Sequence, residues 1–249
     1  MEATSITDKQ FWIDYWKSKD FNIKLTDKPA FYTIFDEIIS KQNTLSCLEI
    51  GGFPGYYSIY IKNKFPYSST TLFDFVIVKE KLKELYSANN IKESAIQVLE
   101  GDINTFTFNT KYDFVFSLGF IEHFYDTKFV IQKHIDALND NGSLLITLPN
   151  FRGINGFINK KFDIDNYNAH NIKCMDINFL KHTCEELKLS SISVSYYGGF
   201  SIWLEDMGKL NSLNKLFFYT LKFVGKAVSK IIPLKNRLFS PYIIIRAKR

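Results

Sequence analysis

The sequence predicts an α/β protein: a doubly wound, seven-stranded, mostly parallel sheet with an N-terminal helical cap and a helical insertion before the last strand. Short apolar runs alternate with helical patterns along most of the chain, which is typical of a parallel sheet covered on both faces. A hydrophobic content of 46% supports a sizeable core. A chain of 249 residues without a low-complexity linker favours one domain, so we predict a single domain over 1–249.

The apolar runs give seven predicted strands, and helical patterns lie between them. The strands are predicted at 45–50, 70–75, 95–101, 112–119, 142–148, 191–197 and 242–248. Helices are predicted directly after Gly55 and at 76–90, 126–138 and 177–189. Ligands of such sheets bind beyond the carboxyl ends of the strands, so residues that follow strands are the first candidates for a site.

Three segments stand outside this alternation. Residues 1–40 hold the aromatic cluster FWIDYW and form the predicted cap, and residues 151–175 form a polar connection after the fifth strand. Residues 204–239 form the insertion. Long connections in compact domains are often lids or binding loops, so we expect 151–175 to lie on the substrate side and 41–150 to form the cofactor-binding half.

The cysteines and the first residues of the chain indicate the cellular compartment in which the protein is expected. Cys47, Cys174 and Cys184 show no paired framework, which favours a reducing environment. The first ten residues are polar and acidic, unlike a signal peptide, and no uninterrupted apolar run of about 18 residues exists. We therefore expect a cytoplasmic protein.

Charge is unevenly distributed. Residues 1–206 hold 21 basic and 26 acidic residues, whereas the rest of the chain holds ten basic residues and no acidic one. At helical spacing, residues 213–232 place four lysines on one stripe and apolar side chains on the opposite face. Such a helix suits an anionic membrane face or anionic acceptor, and equally suits packing on its own domain or on a partner chain.

A glycine-rich turn follows the first predicted strand, with Glu49, Gly51, Gly52 and Gly55 in the stretch CLEIGGFPGYY. The spacing does not fit the G-x-G-x-x-G frame of a dinucleotide site. A carboxylate at the strand's end would repel a pyrophosphate but suits a positively charged, amino-acid-bearing ligand. The alternative is that the glycines only permit a tight turn.

These residues resemble the class I S-adenosylmethionine-dependent methyltransferases, whose first motif is an acidic residue followed by Gly-x-x-x-Gly. The resemblance implies a Rossmann-like methyltransferase fold, S-adenosyl-L-methionine as cofactor, and a cofactor site on four consecutive strands. Asp74 matches the acid that binds the ribose hydroxyls, with Phe75 beside it. Asp102 and Ile103 match the adenine contacts. In the fourth motif, SLGFIEHF, the resemblance assigns Ser117 and Gly119 to the cofactor.

Two histidines are the candidates for a catalytic base, since a hydroxyl acceptor must lose its proton. His123 follows the fourth strand, and His170 lies in the polar connection. Each has a plainer interpretation as a cofactor contact or a loop residue, and His134 and His182 are expected to be surface or packing residues. His170 and Cys174 have a spacing that could ligate metal on a helix, but two ligands are too few, and no metal site is predicted.

The acceptor contacts expected from position are Glu122, Asn150 and Arg152. The Asn/Asp-Pro-Pro-aromatic signature of nucleic-acid amino methyltransferases is replaced by Ser117-Leu118-Gly119-Phe120, so no nucleic acid is expected. The interpretation favoured by the resemblance is O-methylation of a sugar or phosphorylated, carrier-linked precursor in bacterial surface-polysaccharide biosynthesis. Open alternatives are an N-methyltransferase of a small amine, a non-catalytic cofactor-binding protein, and a nicotinamide enzyme.

Overall fold

All seven predicted strands form one sheet in the computed structural model, which describes residues 5–41, 45–231 and 235–249. The strands are β1 (Ser46–Ile50), β2 (Ser69–Asp74), β3 (Gln97–Glu100), β4 (Tyr112–Leu118), β5 (Leu138–Pro149), β6 (Ser190–Tyr197) and β7 (Tyr242–Lys248). Residues 1–4 of the predicted cap and 232–234 of the predicted insertion lie outside the described residues, as do 42–44.

The strand order is β3-β2-β1-β4-β5-β7-β6, and only β7 runs antiparallel to its neighbours β5 and β6. The chain starts at the centre, winds to one edge and then returns to build the other half. The strand order therefore reverses between β1 and β4, which is the position where open α/β sheets bind ligands. The predicted doubly wound, mostly parallel sheet is confirmed.

Nine helices flank the sheet in the described part of the chain. They are α1 (Lys9–Lys17), α2 (Tyr32–Ile39), α3 (Tyr56–Lys64), α4 (Lys79–Ala88), α5 (Thr127–Asp136), α6 (Ile154–Phe162), α7 (Ile164–Asn168), α8 (Ile177–Glu186) and α9 (Ser212–Ile231). None of them is long and apolar enough to cross a membrane. The helices α6 and α7 lie in the 151–175 connection, which the sequence predicts to be a polar segment.

Successive residues of β1 point to opposite faces of the sheet, so each face has its own core. Leu48 is fully buried in the cluster that includes residues of α5 and α8. Its neighbour Cys47 is buried in the cluster that α2 and α3 cover, where Phe35 and Ile61 are also fully buried. This arrangement explains why Cys47, Leu48 and Ile50 of β1 are all apolar: buried strands of a parallel sheet have no solvent-facing side.

A separate hydrophobic cluster joins the insertion to the 151–175 connection. Ile158 of α6 and Phe218 of α9 pack there against Phe200 and Ile202, which follow β6. Gly225 of α9 allows the close approach, because a Cβ at that position would lie 2.1 Å from the ring of Phe200. The segment after β6 thereby fixes α9 near the acceptor end of the molecule.

Candidate active site

A cavity of about 570 Å³ opens at the carboxyl edge of the sheet, beside the reversal of strand order. Its size falls within the range of small-molecule sites, roughly 300–1,000 Å³. Its walls come from the turns after β1 to β5, from α1 and from the 151–175 connection. The predicted site residues among them are Gly51, Asp74, Phe75, Asp102, Ile103, Gly119, Glu122, His123 and His170.

The glycine turn forms one wall. Gly51 has a positive φ of 63°, and a Cβ there would lie 1.9 Å from the ring of Phe120. The turn is held to the neighbouring strand because the Gly51 amide donates to the carbonyl of Phe73 at 2.8 Å. Gly52 and Gly55, expected to contact the cofactor, are not among the cavity residues.

Glu49 has a different position from the one expected. It does not line the cavity, and its carboxylate accepts from the amide of Ser58 at 2.9 Å and from the Ser58 hydroxyl at 2.6 Å. The N-cap residue of α3 is Gly55, which has no side chain to cap the helix, so Glu49 supplies the missing acceptor. Burial raises the pKa of Glu49 to about 8.

Asp74 closes β2 and lines the cavity. Its two carboxylate oxygens accept from the amides of Phe53, at 2.8 Å, and Val76, at 3.1 Å. Burial raises its pKa to about 6, although these amide bonds oppose the shift. The side chain is thus held in place by the turn that follows β1, and it stays ionised at neutral pH.

One part of the cavity wall combines apolar side chains with the acid Asp102. Phe75 and Ile103 line it together with Asp102, whose carboxylate accepts from the amide of Asn104 at 2.9 Å. Lys9 of α1 closes this end: its ammonium lies 5.3 Å from the Phe75 ring centroid and 3.0 Å from Glu100. Ser117 is fully buried and does not line the cavity.

His123 and His170 meet at the other end, although 46 residues separate them in the chain. Their ring centroids are 4.7 Å apart. Nδ1 of His123 lies 2.8 Å from the carbonyl oxygen of Ala169, and Nδ1 of His170 lies 2.6 Å from that of Asn166. A carbonyl can only accept, so each Nδ1 carries the proton and each Nε2 keeps its lone pair.

Both imidazoles are neutral at physiological pH. Burial, together with the neighbouring His170, lowers the pKa of His123 to about 3. Burial also lowers the pKa of His170. The third member of the group is Glu122, which is 1% exposed and lines the cavity. We refer to Glu122, His123 and His170 as the Glu–His cluster.

Two predicted acceptor contacts, Asn150 and Arg152, have side chains paired within the protein. The Asn150 amide donates to the carbonyls of Arg237 and Ser240, each at 2.8 Å, and so ties β5 to the segment before β7. Arg152 pairs with Asp176, the residue that caps α8. Neither side chain is among the cavity residues. Of the other histidines, His134 is fully buried, as a packing residue would be, and His182 is exposed.

Aromatic residues that sequence reasoning assigned no role form much of the remaining wall. Trp12, Tyr15 and Trp16 come from α1, and Trp203 and Tyr242 come from the other half of the sheet. Trp12 packs edge-on against His123 at 5.0 Å between ring centroids. The FWIDYW cluster was visible in the sequence, but only the fold places it over the cavity.

The comparisons with known proteins agree with this architecture. A family model described as a methyltransferase domain matches residues 26–187. No curated protein sequence matches the chain.

Solved structures with a similar fold include a SAM-dependent methyltransferase from Archaeoglobus fulgidus. It has a TM-score of 0.57 at 16% identity, over 97% of this chain and 100% of that one. Phosphoethanolamine N-methyltransferase 2 from Haemonchus contortus, in complex with phosphomonomethylethanolamine and S-adenosylhomocysteine, has a TM-score of 0.62 at 14% identity, over 99% of this chain and 60% of that one. A putative sarcosine dimethylglycine methyltransferase from Galdieria sulphuraria has a TM-score of 0.57 at 14% identity, over 96% and 97%.

Proposed function

The chain belongs to the class I S-adenosylmethionine-dependent methyltransferases, and we propose that it transfers the methyl group to a hydroxyl of a small, sugar-like acceptor. The sulfonium of S-adenosylmethionine supplies an already activated methyl group. The protein's contribution is therefore to hold the acceptor oxygen in line with that methyl and to manage the acceptor's proton.

The cavity suits this cofactor along its length. Asp74 offers an ionised carboxylate for the ribose hydroxyls, and Phe75 and Ile103 offer apolar faces for a purine, with Asp102 beside them. Gly51 and Gly119 line the cavity without side chains, so we propose that the sulfonium-bearing amino acid lies against the backbone there. We propose that these residues hold the cofactor, while Glu49, Gly52, Gly55 and Ser117 shape the turn and strand beneath it.

The observation that supports a hydroxyl acceptor is the pair of neutral imidazoles facing the cavity. Nε2 of each histidine is free to take a proton from an acceptor hydroxyl, so we propose His123 and His170 as the candidate bases. The aromatic rings of Phe151 and Trp203 on this side suit the apolar face of a sugar ring.

The proposed acceptor class is a sugar precursor of bacterial surface polysaccharide. Lys9 is the one Lys or Arg among the cavity residues, and it is paired with Glu100. A phosphorylated or carrier-linked acceptor would therefore keep its phosphate outside the cavity, towards the basic C-terminal part of the chain.

A small amine is the second candidate acceptor. Asp8, Glu122 and Glu205 give the acceptor side several carboxyl groups, which would favour a cation over an anion. The similar Haemonchus contortus structure is titled as an N-methyltransferase, which is consistent with this alternative at the level of the fold.

Turnover by histidine variants distinguishes the two candidates. Production of S-adenosylhomocysteine would be measured with panels of sugars, sugar nucleotides and amines, for wild type, His123→Asn and His170→Asn, with the exposed His182→Asn as control. For a hydroxyl acceptor, each cluster variant should lose about 10²-fold or more in kcat while binding S-adenosylhomocysteine normally. Turnover of an amine that survives both substitutions would overturn the O-methyltransferase proposal.

A further inference from the structure

We propose that the Glu–His cluster binds a divalent first-row transition metal ion. Glu122, His123 and His170 each offer one ligand atom, and these three atoms all lie within 4.8 Å of one another. Tetrahedral metal–ligand bonds of about 2.0–2.2 Å place donor atoms roughly 3.3–3.6 Å apart, so side-chain rotations that bring the three donors closer together would complete the site.

Each histidine is already oriented as a metal ligand. Nδ1 of His123 and of His170 is anchored to a backbone carbonyl, which fixes the ring and leaves Nε2 as the ligand nitrogen. Metal-bound histidines in proteins are held by the same type of outer hydrogen bond.

Glu122 is the independent indication of a ligand. Its side chain is buried and lines the cavity, and neither Oε1 nor Oε2 has a hydrogen-bond partner in the described part of the chain. A buried carboxyl group without any partner is strongly unfavourable. A metal ion coordinated by this group would satisfy it.

The ligand set selects the class of ion. Two imidazoles and one carboxylate suit Zn²⁺, Co²⁺, Ni²⁺ or Mn²⁺ better than Mg²⁺ or Ca²⁺, which prefer all-oxygen sites. Cys174, which the sequence pairs with His170, is not part of the cluster: its thiol donates to the carbonyl of Asn171 at 3.0 Å. Three protein ligands leave a coordination position free for a hydroxyl of the acceptor.

The site deepens the proposed function, and the ion's chemical role rests on a hydroxyl acceptor. A metal-bound hydroxyl has a lowered pKa, so the proton leaves more readily and the oxygen attacks the methyl as an alkoxide-like nucleophile. The C–O bond forms as the methyl–sulfur bond breaks, the sulfur keeps the bonding electrons, and the proton passes to solvent. With an ion bound, Nε2 of each histidine coordinates the metal, and the metal takes over from the histidines the activation of the hydroxyl.

Metal binding can be measured without any acceptor. Metal-free full-length protein would be dialysed against Zn²⁺ or Co²⁺, bound metal counted by elemental analysis, and Co²⁺ coordination followed by absorption. One tight ion per chain is expected for wild type, for His182→Asn, which removes an exposed histidine, and for Cys174→Ser. Affinity should fall at least tenfold in Glu122→Gln, His123→Asn and His170→Asn.

The variants also separate this inference from the proposed function. Substoichiometric or absent tight binding by wild type would overturn the metal site, as would affinity unchanged in Glu122→Gln. Circular dichroism and S-adenosylhomocysteine binding confirm that each variant is folded. A protein that binds cofactor but no metal would leave the methyltransferase assignment intact.

A separate observation carries a second proposal: we propose that α9 docks on an anionic lipid surface. The helix has three faces. Phe218 is 2% exposed and packs on the domain, whereas Leu213, Phe223 and Ile231 are at least 76% exposed. Lys215, Lys222, Lys226 and Lys230 lie between the packed and the exposed apolar faces at helical spacing.

The charge pattern selects the lipid surface over a second protein chain. Beyond Asp206 the chain has ten basic residues and no acidic one. A row of lysines beside an exposed apolar row is the arrangement of helices that lie in the plane of an anionic bilayer. The helix packs on Phe200 and Ile202, and Trp203 and Glu205 directly after them line the cavity, so a docked α9 would bring the acceptor side of the cavity close to the lipid headgroups.

Vesicle sedimentation tests the docking. The full chain should sediment with vesicles of phosphatidylcholine and phosphatidylglycerol and much less with phosphatidylcholine alone. Binding should fall several-fold in Phe223→Ser/Ile231→Ser and in Lys226→Glu/Lys230→Glu, but not in Tyr125→Ser, which removes an exposed ring far from α9 in sequence. No binding to anionic vesicles would overturn the proposal, and so would a stable dimer in solution that the Phe223→Ser/Ile231→Ser variant abolishes.

Discussion

Gly51 allows the turn after β1 to pack against Phe120 in the wall of the cavity. Its positive φ is a conformation that L-residues adopt at a cost of about 1–2 kcal/mol, and the ring of Phe120 occupies the space that a Cβ would need. The glycine is therefore required for packing as well as for access to the ligand.

Gly51→Ala should destabilise the fold and weaken cofactor binding together. We expect the free energy of unfolding to fall by about 1–3 kcal/mol, as measured by urea denaturation. Affinity for S-adenosylhomocysteine, measured by calorimetry, should fall because Phe120 must move. Gly208→Ala, in an exposed turn with an ordinary φ, is the control. Unchanged stability and affinity in Gly51→Ala would refute this account of the turn.

Asp74 should make cofactor binding pH-dependent. Its pKa is raised by burial to about 6, so below that pH the free protein holds a proton on the carboxylate that the ribose hydroxyls require. Affinity for S-adenosylhomocysteine should therefore be constant above pH 7 and fall by up to about tenfold per pH unit below 6. In Asp74→Asn the affinity should be weaker and should lose this dependence on pH. An equally steep fall in that variant would assign the effect to another group.

Residue types in register predicted which acids follow the strands and were proposed to hold the cofactor, but not the direction in which each side chain points. Asp74, Asp102, His123 and His170 each follow a strand or lie on the expected connection, and all four line the cavity. The orientation of Glu49 could not be predicted, because its partner is the amide of Ser58, and the need for a cap arises only because Gly55 is the N-cap of α3. The pairing of Glu122 and His123 with His170 likewise depends on how the connection folds.

At the scale of elements, α1 is a cover held by few contacts. It contains no buried residue, and it reaches the domain through Trp12 on His123, Trp16 on Phe53, Lys9 on Glu100 and Tyr15 on Glu205. Elements with little buried apolar area open at low free energy. The cover therefore belongs to the ligand site more than to the core.

Trp12→Ala should affect binding without unfolding the domain. We expect affinity for S-adenosylhomocysteine to fall several-fold, since the indole lines the cavity, while the urea midpoint changes little. Gln10→Ala, on the same helix and bonded only to Asp14 beside it, should leave both values unchanged. A large loss of stability in Trp12→Ala would show that α1 is part of the core.

Strands were more predictable than the substrate-side helices. Apolar runs located all seven strands, although β5 begins at Leu138, four residues before its predicted start at 142. The 151–175 connection was expected to be a polar segment and instead contains α6 and α7. Two of its asparagines are buried although they are polar: Asn155 is 3% exposed, and Asn159 is fully buried with its amide donating to the carbonyls of Asn155 and Trp203.

At the scale of the whole molecule, an acidic cavity wall and a lysine-rich C-terminal segment belong to the same domain. The turns on one side of the strand reversal hold acids suited to a cationic nucleoside, and the segment beyond Asp206 presents lysines. Composition predicted this division of charge, whereas the position of α9 next to the acceptor side required the packing of Phe200 and Phe218.

Calorimetric titration of the purified chain with S-adenosylhomocysteine tests the central claim most directly, with Asp74→Ala beside the wild type and the exposed Asp140→Ala as control. The account predicts one binding site per chain, an affinity that falls by at least tenfold in Asp74→Ala, and no change in Asp140→Ala. No binding by the wild type, or an affinity that Asp74→Ala leaves unchanged, would contradict it.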